Sequence, residues 1–88
     1  MAAVYLRLVD PTKNKRRFYH LDVQVDLFGQ WCLIREWGRI GRQGKVLITP
    51  FPSVVEAERA LGRLRRRKER RGYGPVPGAA LVRVSAVV

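Results

Sequence analysis

The chain is poor in the side chains on which catalysis and metal binding usually draw. It holds one cysteine, one histidine and only 7 acidic residues in 88. A single cysteine rules out a disulfide within the chain, and the lone His20 leaves no second ligand at zinc-site spacing. Cys32 lies between Trp31 and Leu33, so it reads as a small buried hydrophobe in a reducing compartment. No apolar run approaches the roughly 20 residues of a membrane helix, and no charged-then-apolar leader precedes Val4. A cytoplasmic protein with no membrane partner is expected. His20 alternates with Asp22 and Asp26, but acid–base chemistry also needs a sheltered pocket to tune its groups. Gly38, Gly41 and Gly44 are evenly spaced, yet no Lys-Ser or Lys-Thr follows at a helix mouth, so they read as turn glycines. The expectation is a protein that is not an enzyme and carries no cofactor or metal.

What the chain has in excess is positive charge. Eighteen Lys and Arg against 7 Asp and Glu give a net charge of +11 and an isoelectric point near 11.3. Fields of this sign concentrate polyanions and speed their association, which makes nucleic acid the first candidate partner. With 47% apolar residues, there is material for one folded core, so residues 1–88 are read as a single domain.

Alternating apolar residues predict a first strand from Val4 to Val9. Asp10-Pro11 opens a basic loop, Thr12 to Arg17, that carries Lys13, Lys15, Arg16 and Arg17. A second strand is expected from Phe18 to Leu27, with Tyr19, Leu21, Val23, Val25 and Leu27 on one face. Phe28-Gly29-Gln30 turns the chain into a third strand, Trp31 to Ile40. Lys45 to Thr49 reads as a fourth, ended by Pro50 and Pro52. Ser53-Val54-Val55-Glu56 has the capping-box form, so a helix should begin at Val54. Val54, Ala57, Leu61 and Leu64 make its apolar stripe. Beyond Leu64 the stripe runs out, so the last turns are expected to project, with Gly72 as the left-handed stop. An irregular crossing loop, residues 73–78, and a last strand from Leu81 to Val88 complete an α+β fold: an antiparallel sheet of four to five strands with one helix packed on it.

Leu33, Arg35, Trp37 and Arg39 share one face of the third strand, and Gly38 leaves a gap where backbone or sugar could come close. An indole face suits stacking on a sugar or base, and a guanidinium suits phosphate. The other reading of Trp37 is as core, with Arg39 capping its edge. Here the chain resembles the WGR domain, named for its Trp-Gly-Arg motif and known as a module of the DNA-dependent poly(ADP-ribose) polymerases. The resemblance rests on Asn14 to Tyr19, Asp26 to Gly29 with Trp31, Trp37-Gly38-Arg39-Ile40-Gly41, Gly44, the helix with Glu56 and Ala57, and Lys68 to Tyr73. It covers roughly residues 4 to 73, with 74–88 as loop and terminal strand. It is similar to bacterial members in its hairpin and implies a stand-alone domain of that type.

The resemblance implies that Trp37 packs on the sugar at a DNA break. It implies that Arg39 couples DNA to neighbouring domains and that Arg17 meets a terminal phosphate. The polymerases' catalytic region has no counterpart in these 88 residues. Arg59, Arg63, Arg66 and Arg70 form a helical row about 16 Å long at 1.5 Å per residue, able to follow a phosphate backbone or merely to face water. The expected interface is therefore Trp37, Gly38, Arg39 and Arg17, supported by Arg35, Lys45, Arg16, Arg63, Arg66 and Arg70. The expected partner is nucleic acid, DNA ahead of RNA and duplex ends or breaks in particular. The alternative is a protein-interaction module whose charge serves solubility.

Overall fold

A computed structural model describes residues 3–76. Four strands, β1 (Ala3–Asp10), β2 (Lys15–Val25), β3 (Trp31–Arg39) and β4 (Lys45–Phe51), form an antiparallel meander. Helix α1 (Val54–Arg70) follows, and a two-residue strand, β5 (Gly74–Pro75), pairs with the free side of β1 to give the order β4-β3-β2-β1-β5. The α+β fold read from the sequence is the one observed.

The period-two alternation of β2 puts Tyr19, Leu21 and Val23 on the face that α1 covers. Together with Leu6, Leu33 and the helix residues Ala57, Ala60 and Leu61 they make the buried core. The helix starts where the capping box places it, with the Glu56 N–H donating to Ser53 Oγ at 3.3 Å. Alanines at its inner positions let the backbone approach the sheet closely. Its end is fixed by a Schellman pair: the Gly72 N–H donates to the Glu69 carbonyl and the Tyr73 N–H to the Lys68 carbonyl, with Gly72 at φ +103°.

Several boundaries differ from the sequence reading. The basic segment expected as a loop from Thr12 to Arg17 is a 3-10 turn (Pro11–Lys13) and a strand that begins at Lys15. Asn14 adopts the left-handed region at φ 51° and closes the turn early. At the other end β2 stops at Val25, so Leu27 does not extend the buried row. The Asp26 carboxylate accepts the N–H groups of Phe28 and Gln30 at 2.8 and 2.9 Å, which converts the strand into a turn. Pro50 lies inside β4 instead of ending it, as an edge strand allows, because its missing N–H faces away from β3. Gly74–Pro75, expected within an irregular loop, continues the sheet. The expected strand from Leu81 to Val88 lies outside the described residues. Among those described, no helix is long and apolar enough to cross a membrane.

Candidate nucleic-acid interface

The register of β2 against β3 builds the site. Tyr19 stands opposite Trp37 and Arg17 opposite Arg39, and alternation puts all four on the helix-covered face. The Tyr19 and Trp37 rings stack at 5.9 Å with an 18° interplanar angle, and Tyr73 meets Tyr19 edge-on at 6.3 Å. Past the last apolar turn of α1, these rings floor a cleft of about 420 Å³ lined by Arg17, Tyr19, Trp37, Gly38, Arg39, Lys68 and Tyr73. Among the described residues, no carboxylate lines it. Trp37 thus serves both readings of its sequence context: it packs against the core and its remaining surface lines the cleft.

The cations around this floor are set against each other. Arg17 and Arg39 are directly opposed across the strands, an arrangement that costs free energy between like charges. Arg39 is held at the mouth by two donations to Asn14, one to the backbone carbonyl and one to Oδ1, both at 3.3 Å. Lys68 Nζ lies 4.4 Å from the Tyr19 ring centroid and 5.7 Å from that of Tyr73. Burial, and then the charges of Arg71, Arg67, Arg35 and Arg17, hold the Lys68 ammonium below the ordinary lysine pKa. Arg35 reaches over Trp37 at 5.9 Å, and its Nε is buried without a hydrogen-bond partner. An anion in the cleft would offset the repulsion among Arg17, Arg39 and Lys68, which line it.

Not every expected residue is brought to this place. Arg35 and Lys45 are on the cleft face, Lys45 directly opposite Trp37 at the sheet edge. Arg16 follows the strand alternation onto the opposite face. Arg63, Arg66 and Arg70 are exposed and lie about half a turn round α1 from its inward residues Leu61 and Leu64, so their row faces away from the cleft. The helix supplies Lys68, flanked by Arg67 and Arg71, and the turn after it supplies Tyr73. Sequence reasoning placed none of these four in the site. Lys68 follows Leu61 and Leu64 at helical spacing and so sits on the buried side, which is the signal that could have found it. The space at Gly38 is also already taken. A Cβ there would lie 3.0 Å from Gly44 Cα, and one on Gly44 would lie 2.5 Å from the Trp37 carbonyl oxygen and 2.8 Å from Phe18 Cζ. The two glycines let the chain's own backbones touch, where a ligand's close approach had been expected.

His20 belongs to the opposite sheet face. It stacks on Tyr5 at 4.0 Å and its Nδ1 lies 3.9 Å from Glu36 Oε1. Burial lowers its pKa against the opposing pull of Asp22 and Glu36. Cys32 is buried, and both burial and the Asp26 carboxylate raise its thiol pKa. That is the setting of an inert thiol. Among the described residues, no group of three or more His, Cys, Asp or Glu side chains could hold a metal ion.

Comparison with known proteins bears on this arrangement. The chain is 39% identical over 74 residues to the "Uncharacterized protein y4dW" of Sinorhizobium fredii (strain NBRC 101917 / NGR234), an alignment covering 84% of this chain and 36% of that protein. In fold it is similar to the crystal structure of a protein from Bacteroides fragilis, with a TM-score of 0.75 and 24% sequence identity over 90% of this chain and 20% of the other. The chain therefore spans only about a third of the length of the first and a fifth of the second. A family model for the WGR domain matches residues 2–80, a stretch that includes every residue lining the cleft, and the chain belongs to the WGR domain family.

Proposed function

We propose that this WGR domain is a non-catalytic nucleic-acid-binding module and that it takes duplex DNA at ends or breaks in the Trp37 cleft. The observation that carries the reading is the aromatic floor ringed by Arg17, Arg39 and Lys68, cations that oppose one another until an anion enters. The exposed edge of Trp37 offers a stacking surface for a terminal sugar or base. Arg17 and Lys68 face a phosphate, and Arg39, oriented by Asn14, follows the next one along the strand. Nothing in this set addresses base edges, so recognition is of backbone and terminus and not of sequence.

The test compares an end-labelled nicked duplex, an intact circle and single-stranded RNA at two salt concentrations, using the wild type and Trp37→Ala. The nicked duplex should bind tightest, log K should fall by about 0.9 per phosphate neutralised as log salt rises, and Trp37→Ala should lose about 1–3 kcal/mol while remaining folded. Salt-insensitive binding, or full affinity in the folded variant, would remove the proposal. A second reading, a protein-interaction module, is favoured by one observation: Leu27 and Phe28 stand 99% and 93% exposed at the β2–β3 turn. Under that reading Trp37→Ala leaves nucleic-acid affinity intact.

A further inference from the structure

The sheet has one long edge without a neighbour among the described residues, and that edge is apolar on both faces. Val46, Leu47 and Ile48 of β4 are 57%, 42% and 57% exposed. Val46 and Ile48 belong to the face away from α1, and Leu47 to the helix face. Long apolar edges invite pairing with another strand, and proteins usually guard them with charge, proline or a short length. Here the guards, Lys45 and Pro50, stand only at the two ends of the run.

The direction of the unpaired backbone groups follows from Pro50. A proline inside a strand is tolerated where the missing N–H would have pointed out of the sheet. Pro50 therefore marks the outward positions, and the period of two makes Val46 and Ile48 outward as well, while Leu47 and Thr49 turn their N–H groups toward β3. The edge thus offers the N–H and C=O of Val46 and Ile48.

We infer that β4 pairs with β4 of a second copy of this chain, antiparallel about a two-fold axis through Leu47. The register is self-complementary. Val46 of each chain faces Ile48 of the other, and each such pair exchanges both main-chain hydrogen bonds. Leu47 faces its own copy in the non-hydrogen-bonded position, where side chains come closest. Lys45 faces Thr49, so no like charges are opposed, and Pro50 ends the ladder. A one-residue slip would set the outward-facing Val46 and Ile48 against the inward-facing Leu47 and lose the hydrogen bonds. The contact is isologous and closed, which is the commonest form of protein association. Arg17, Tyr19, Trp37 and Arg39 lie on or beyond the neighbouring strands, so both clefts stay open. The inference is independent of what those clefts bind.

Sedimentation velocity over about a hundredfold range of concentration tests it, because a dimer of this kind dissociates on dilution. The runs use at least physiological salt, where screening shortens the reach of the net positive charge to about 8 Å. The wild type should pass from monomer to dimer. Ile48→Pro removes an outward N–H as Pro50 already does, so it should raise the dissociation constant at least tenfold while circular dichroism and melting temperature stay unchanged. Leu47→Lys and Leu47→Glu should each be monomeric alone and form a dimer when mixed. A wild type that is monomeric throughout, or a dimer indifferent to Ile48→Pro, would overturn the inference. A monomer that loses thermal stability on Ile48→Pro would overturn it too.

Discussion

The two ends of the β2–β3 hairpin are opposites in charge and in packing. At the open end of the pair, Arg17 faces Arg39, and Lys68 arrives from the helix. At the turn end there is no Lys or Arg from Phe18 to Ile34, nor from Val46 to Glu58, while Asp22, Asp26, Glu56 and Glu58 fall in these stretches. There the exposed groups are Leu27 and Phe28, set on a turn that Asp26 holds. One end accumulates unsatisfied positive charge around aromatic rings. The other satisfies its polar groups locally and leaves hydrocarbon in water. A net charge of +11 is therefore a poor description of the molecule, because the excess is gathered at one end of its sheet and along its helix.

The strongest way to break this contrast is to change matched pairs at the two ends. Replacing Arg17 and Arg39 together by Glu should lower duplex affinity on the order of a hundredfold, through lost phosphate contacts and new repulsion. Replacing Leu27 and Phe28 together by Ser should leave it unchanged in the same titration. Equal losses would show that the ends do not differ in function.

A smaller effect sharpens the contrast from the stability side. Asp26→Ala leaves two turn N–H groups without their acceptor and should cost about 1–2 kcal/mol. Thermal melting would show this as a fall of several degrees, with affinity for duplex unaltered.

The smallest predicted effect is a pH dependence at the basic end. Lys68 has its pKa lowered below 10.5, first by burial and then by neighbouring arginines, so the folded chain releases that proton at lower pH than the unfolded chain. The resulting penalty is fully present at neutral pH and disappears as pH rises through the folded value toward the unfolded one. A bound phosphate favours the charged form, so binding takes up protons and affinity should decline as pH climbs toward 10.5. Duplex titrations across that range check it, and Lys68→Arg should abolish the decline, since arginine keeps its proton there.

Strands β1, β2 and β3 were legible because one face of each packs on the core, which imposes a two-residue period that Tyr19, Leu21 and Val23 display without interruption. Leu27 carried the same period one step too far; the side chain of Asp26, which bonds locally, outweighed it. The Trp37 and Arg39 face could be read for the same reason that Leu33 could, since all lie on one side of one strand. The spacing of Lys68 after Leu61 and Leu64 puts it on the buried side of α1, but spacing alone does not say that it and Tyr73 meet Trp37 in one cleft. Their position depends on how α1 packs on the sheet, where the buried Ala57 and Ala60 meet the core. Arg63, Arg66 and Arg70 face outward because they lie about half a turn round α1 from Leu61 and Leu64. Their even spacing is a property of the helix, whereas a shared surface with Trp37 would have been a property of the packing.

The contact between Gly38 and Gly44 bears on how far the Trp-Gly-Arg signature can be treated as a transplantable unit. The middle residue of the signature is glycine because another glycine, beyond the next turn, presses against it, with Phe18 closing the space from the neighbouring strand. Moving the tripeptide into a foreign hairpin would carry the letters without the packing that sets the indole's angle. The smallest piece that keeps this packing is the stretch from Phe18 to Gly44, and a hybrid protein built with less should display the motif without it; the cleft itself also needs Arg17, Lys68 and Tyr73.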